Sequence, residues 1–179
     1  MTNLPNNAIV FTARLELIPW DLTLIDAMIA GDGASAARAI GAAFPDPFAP
    51  PPETGDVLGF FREKVAEDAS GGLFAPRMMV RATDRVVLGS LGVMAPDGDG
   101  QALTGWGVYP EFEGNGYASE AARALLDHVL DGVPDITILA TIRIGHLASE
   151  KVATRAGMSR TDEVTDEDGM TLAVWNRSR

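Results

Sequence analysis

Tyr109-Pro110-Glu111-Phe112-Glu113-Gly114-Asn115-Gly116-Tyr117-Ala118-Ser119-Glu120-Ala121-Ala122 joins a strand exit, a glycine turn and a helix start in one run. The two glycines strip side chains from the turn, and the alanine-rich run after them favours helix. The backbone N–H groups of residues 114–119 can then converge on one point, as the first unpaired donors of the helix. Free donors coincide there with the positive end of the helix dipole, so a phosphate or pyrophosphate is the natural guest. A plain turn accounts for the same residues. No Gly-Lys-Ser/Thr follows, so this is not a Walker loop. The third glycine of a dinucleotide fingerprint is also missing, and antiparallel-looking strands precede the turn.

Upstream of that turn, residues 77–82, 86–94 and 102–108 read as three strands joined by short turns, hence an antiparallel meander. The turn cluster Ala95-Pro96-Asp97-Gly98-Asp99-Gly100 separates the last two. Residues 14–19 alternate like a half-buried strand. Asp21 is placed to cap a helix over 22–29, and 34–43 is alanine-rich and helical. The proline-rich stretch 44–52 can be neither helix nor central strand. It is a connector or a wall of a binding cleft. Residues 57–69 read as a helix with Val57, Leu58, Phe61 and Val65 inward.

Downstream, a helix covers about 117–130. Residues 136–142 are β-branched and almost wholly apolar, as in a central strand buried on both faces. A short helix over 148–156 ends at Gly157, and two strands flank 162–169. The order predicts one mixed sheet with its crossover at the glycine-turn helix.

The chain has 179 residues, a formal charge of −11 and no cysteine, with a pI near 4.5. That length suits one domain. The acidity argues against a nucleic-acid partner and mildly favours a cationic one. Lack of cysteine excludes disulfides, thiolate metal sites and a cysteine nucleophile. Residues 1–7 lack the basic and apolar regions of a signal peptide, and no apolar run approaches the ~20 residues of a membrane span. A cytoplasmic protein without membrane contact is expected.

The order of elements resembles the GNAT N-acetyltransferases, most closely the branch of the ribosomal-protein N-terminal acetyltransferases (RimJ/RimL type). Thr12-Ala13-Arg14-Leu15-Glu16-Leu17 looks like that branch's opening strand. Leu88-Gly89-Ser90-Leu91-Gly92 looks like its third, and Gly105-Trp106-Gly107-Val108 with Pro110-Glu111 like its fourth and exit. Gly114-Asn115-Gly116-Tyr117-Ala118-Ser119-Glu120-Ala121 looks like its acetyl-CoA turn. His146-Leu147-Ala148-Ser149 through Ala156-Gly157-Met158 looks like its following helix segment.

The resemblance implies an α/β (α+β) single-domain fold over residues 1–179. Its mixed sheet has about 6–7 strands, helices on both faces and a V-shaped splay between the fourth and fifth strands. It implies acetyl-CoA as cosubstrate, with the pyrophosphate on Gly114, Asn115, Gly116, Tyr117 and Ala118, and Ser119 adding a hydroxyl. The pantetheine arm would run along Trp106 and Val108, with Ser149 near the pantetheine or the adenine end. Lys151 and Arg155 would meet phosphate or adenosine, or simply face solvent. The implied reaction is direct acetyl transfer to a primary amine, either a protein N-terminus or a small cationic amine, by a monomer or homodimer. The alternative is a noncatalytic acyl-CoA-binding module of the same fold.

Three departures bear on that choice. Glu113 stands where the family's turn usually begins with Gln or Arg, and a carboxylate beside a pyrophosphate weakens binding. His146 replaces the usual Asn, as a proton shuttle or a hydrogen-bonded residue. Ala153 stands where many relatives carry a tyrosine. Tyr109 and His146 are the catalytic candidates, and Glu111 and Glu120 are further carboxylates. The acidic stretch 162–168 is either a solubilising hairpin or a lure for a cationic acceptor. Trp20, Trp106 and Trp175 line the cleft or the core.

Overall fold

The computed structural model describes residues 8–68, 70, 72–96 and 98–179. The expectations for residues 1–7, for Ala69 at the end of the third helix and for Asp97 in the turn cluster lie outside the described residues. In chain order these hold β1 (Val10–Phe11), β2 (Leu15–Pro19), α1 (Leu22–Ile29), α2 (Gly33–Ile40), α3 (Leu58–Glu67), β3 (Arg77–Arg81), β4 (Val86–Val93) and β5 (Gln101–Val108). Then come α4 (Tyr117–Gly132), β6 (Thr137–Arg143), α5 (Leu147–Arg155), β7 (Ser159–Thr165) and β8 (Thr171–Arg177). Short 3-10 turns sit at Gly55–Val57 and Pro110–Phe112.

The sheet order is β1-β2-β3-β4-β5-β6-β8-β7. Every pairing is antiparallel except β5 with β6. Parallel neighbours need a crossover connection, and α4 supplies it. The expected mixed sheet is therefore present, with eight strands because a two-residue strand precedes the predicted first one. The meander of β3, β4 and β5 is as read from the sequence.

Alternation along the strands feeds two apolar layers. Leu15, Leu17, Met79 and Leu91 pack on α4, whose Ala121, Ala122, Leu125, Leu126, Val129 and Leu130 form its buried stripe; Val152, Ala153 and Ala156 of α5 join them. On the other face Met78, Val80 and Val87 pack under α1, α2 and α3. Asp21 caps α1 at the Leu24 N–H, 2.8 Å away, and Asp32 caps α2 at Ser35, 2.9 Å away.

Three expectations change. Val57 is exposed in the 3-10 turn ahead of α3, while Leu58 alone of that helix is fully buried. β6 is buried on one face only: Ile138, Ala140 and Ile142 are covered, but Thr141 and Arg143 are exposed. The helices α1–α3 pack on β2, β3 and β4 and stop short of β6. β7 runs through Thr165, so the acids of 162–165 lie on an exposed edge strand, not in a loop.

The sheet splits where it matters. β5 and β6 pair only from Gln101 with Thr137 to Leu103 with Leu139. β5 then stays with β4 as far as Val108 opposite Gly89. β6 stays with β8 as far as Arg143 opposite Leu172. Residues 104–108 and 140–143 therefore face a gap, the expected splay.

Candidate functional site

The gap has one unpaired strand edge that can be read from register. The Tyr109 N–H donates to Leu88 O (2.9 Å), and the Met94 N–H donates to Leu103 O (2.7 Å). Antiparallel ladders alternate, so the odd-numbered residues of β5 bond to β4. Thr104, Trp106 and Val108 then turn their N–H and C=O groups toward the gap. An extended guest could add there like a strand.

At the end of that edge the chain enters the glycine turn. Gly114 and Gly116 have φ of 76° and 78°, the left-handed region that favours glycine. The Asn115 side-chain amide donates to the Phe112 and Glu113 carbonyls, 3.1 and 3.0 Å away, and braces the loop. α4 then starts with no side-chain cap. Glu120 is the first residue whose N–H finds a backbone acceptor, Gly116 O at 3.1 Å. Among the described residues, the N–H groups of Gly114, Asn115, Gly116, Tyr117, Ala118 and Ser119 meet no acceptor. These donors sit at the positive end of a 16-residue helix, a built anion site. Nothing stands within 4 Å of the place a Cβ would take on Gly114.

Arg14 holds this turn from outside, a role the sequence reading did not give it. Its Nε lies 2.7 Å from Glu120, its Nη1 donates to Asn115 O at 3.1 Å, and its guanidinium stacks 4.5 Å from the Tyr117 ring centroid. Glu120 also accepts from the Thr12 hydroxyl at 2.5 Å and from the Arg14 N–H at 2.9 Å. Burial would raise its carboxyl pKa, but these hydrogen bonds and the Arg14 charge hold it below the usual range. A carboxylate so engaged is a brace, not a proton acceptor. Glu113 is exposed, and no ion pair of the described residues involves it.

The catalytic candidates are engaged elsewhere. Tyr109 is buried, and its hydroxyl donates to Ala49 O at 2.6 Å. Burial, with the Glu111 charge adding to it, pushes the phenol well above its ordinary value. The phenol ties the proline-rich loop to the strand exit. His146 is exposed and caps α5, its Nδ1 accepting from the Ser149 N–H at 3.3 Å. Ser149 therefore lies in the first turn of α5. Because β5 and β6 are parallel, the starts of α4 and α5 lie at the same end of the sheet.

The tryptophans separate. Trp20 is buried against Phe61 and lines a cavity on the α1–α3 face, while half-buried Trp106 packs against the α4 layer. Trp175 is largely buried beneath α5, beside a shallow groove that Lys151 and Arg155 also line. The acidic hairpin follows β7 at the end of the sheet where β6 finishes, with Leu172 opposite Arg143.

Comparison with known proteins follows this geometry. Residues 14–159 match the family described as acetyltransferase (GNAT) domain. No curated protein sequence matches the chain. Among solved structures, the ribosomal-protein-S5-alanine acetyltransferase of Vibrio fischeri superposes with a TM-score of 0.68 at 13% identity, covering 96% of each chain. RimL, a ribosomal L7/L12 alpha-N-protein acetyltransferase in complex with coenzyme A, gives 0.65 at 17%, covering 96% of this chain and 98% of its own. A spermidine N-acetyltransferase chimera from Vibrio cholerae gives 0.64 at 10%, covering 93% and 96%. At these identities the likeness is one of fold.

Proposed function

Because the chain belongs to the GNAT acetyltransferases, which draw their acetyl group from acetyl-CoA, we propose that it transfers that group directly to a primary amine within a ternary complex. The observation that carries this reading is the bare, glycine-built start of α4 beside the unpaired edge of β5. Gly114 to Ala118 would hold the pyrophosphate through their N–H groups, with the Ser119 hydroxyl adding to them. Trp106 and Val108 would hold the pantetheine arm by backbone pairing, near Ser149 across the gap. A backbone N–H of β5 aimed into the gap would polarise the thioester carbonyl. The site would then set donor and acceptor in line.

The acceptor is a protein N-terminus, as named for the two ribosomal-protein enzymes, or a small cationic amine, as named for the spermidine enzyme. The first would make the chain RimJ/RimL-like. We assign the activity to one unit spanning the whole chain, acting in the cytoplasm as a monomer or homodimer. Among the described residues no helix is long and apolar enough to cross a membrane.

Calorimetric titration with acetyl-CoA tests the site. Micromolar binding is expected, and Glu113→Gln should tighten it about fivefold, because a unit charge ~4 Å away in water contributes about 1 kcal/mol. That gain should shrink as salt is added. An absence of heat at millimolar acetyl-CoA from either protein would overturn the reading.

A further inference from the structure

Amine acetylation needs a group that takes a proton from an alkylammonium, whose pKa is near ~10. Tyr109 and Glu120 are engaged elsewhere and the His146 Nδ1 is taken up in capping α5, while an unengaged carboxylate lies on the other side of β5. A cavity of about 640 Å³ opens along residues 103–107 of β5, with Trp20, Phe60, Phe61, Val65 and Leu103 in its lining. Its charged lining is Glu53, Lys64, Glu67 and Asp68.

Three of these four are unsuited or remote. Asp68 accepts from the Ser70 N–H, the Ser70 hydroxyl and the Gly72 N–H at 2.8, 2.5 and 2.6 Å. Lys64 is a cation, 5.5 Å from the Phe60 ring centroid. Glu67 ends α3, about 15 Å along that helix from the Pro52 turn.

Glu53 is different. It is exposed, and no ion pair of the described residues involves it. Its φ is 65°, a left-handed conformation that non-glycine residues rarely hold. Buried Thr54 fixes the turn, its N–H and hydroxyl both donating to Pro51 O at 3.2 and 2.6 Å. The neighbouring Pro52 carbonyl presses on β5 so closely that a Cβ on Gly107 would come within 2.8 Å of it. The fold thus holds Glu53 in a strained backbone conformation, next to the residue whose carbonyl abuts the strand that borders the gap. Such strain persists where the surroundings over-determine it, and it clusters at functional sites.

Resting on the amine-acetylation reading, we propose that Glu53 receives the acceptor's ammonium group and takes its proton, while the apolar walls hold an apolar body. Glu53 binds one proton from R–NH3+, leaving R–NH2. The nitrogen lone pair forms the C–N bond to the acetyl carbon, and the C–S bond breaks with its electron pair on sulfur. The second nitrogen proton goes to that thiolate, and Glu53 returns the first to water. The acceptor is therefore an arylalkyl- or alkylamine rather than a polyamine.

Thiol release is measured with 2-phenylethylamine, with spermidine and with a peptide N-terminus, for wild type, Glu53→Gln and Glu53→Gly, from pH 7 to 10. Wild type should prefer phenylethylamine at least tenfold in kcat/KM. Both variants should lose roughly 100-fold in kcat at pH 7 and keep acetyl-CoA affinity. The deficit should close as the amine deprotonates on its own near pH ~10. Glycine accepts the positive φ, so Glu53→Gly should melt no lower than wild type. Turnover within threefold of wild type at pH 7, or a deficit equal at all pH, would overturn the role of Glu53. A preference for spermidine would overturn the apolar acceptor. Acetylation of a peptide N-terminus but of neither amine would also overturn the apolar acceptor, and wild type that binds acetyl-CoA but acetylates none of the three would sink the underlying reading instead.

Discussion

The starts of α4 and α5 lie at the same end of the sheet, at the exits of its two parallel strands, and are built in opposite ways. α5 is closed by its own sequence: the His146 imidazole accepts from the Ser149 N–H, and the Glu150 carboxylate accepts from the Gly145 N–H at 3.1 Å. α4 offers nothing to its own first donors, and no side chain caps it. Its stabilising contacts come from outside, through Arg14 and Thr12 on Glu120. A helix start that fills its own donors is closed to a ligand; one left open keeps its donors free for an anion.

The sharpest way to break that contrast is to fill the open start. Gly116→Glu places a carboxylate among the donors and a side chain at φ 78°. Wild type at a hundredfold excess of acetyl-CoA over its Kd should gain about 2.7 kcal/mol, and the variant should gain none. Its ligand-free form should also melt lower, by about 1–2 kcal/mol, from the left-handed strain. Melts with and without acetyl-CoA read both effects, and a retained ligand shift would reject the cradle.

Removing the cap of α5 should do less, and only to stability. His146→Ala should cost about 1 kcal/mol. His146→Asn, which restores a capping oxygen, should match wild type in both melting and turnover. A large turnover loss in His146→Asn with an unchanged melt would instead give the imidazole a proton-transfer role.

The smallest effect comes from the external brace. Glu120 has a folded-state pKa below its ordinary value, so it adds stability above its unfolded pKa of about 4.3. That contribution is lost as pH falls through the lower folded value. The gap in unfolding free energy between wild type and Glu120→Gln should be under ~1 kcal/mol at pH 7, because the pair is partly solvated. It should hold to about pH 5 and close below about pH 4, in denaturant titrations across that range. A gap that widens in acid would refute the brace.

The same contrast shows what could be read in advance. The glycine turn, its helix and the meander before it were legible because glycine spacing, apolar periodicity and turn chemistry are local. Asp21 and the glycine after α5 were legible for the same reason. The roles of Tyr109 and His146 were not. Their partners, the Ala49 carbonyl and the Ser149 N–H, depend on where a distant loop folds and on how the helix entry turns. β6 misled the reading because its apolar composition suggests cover on both faces, while the helices above pack only on β2, β3 and β4.

By itself the sequence determined the order of elements, the bare helix start and the parallel crossover, since each follows from backbone propensities within a short window. Only the tertiary structure decided that Arg14 and Glu120 brace the turn, that β5 leaves β6 after Leu103, and that the Pro52 carbonyl abuts Gly107. Those pairings join residues far apart in the chain. No local preference specifies them, and they form only when the whole sheet and its two apolar layers are packed at once.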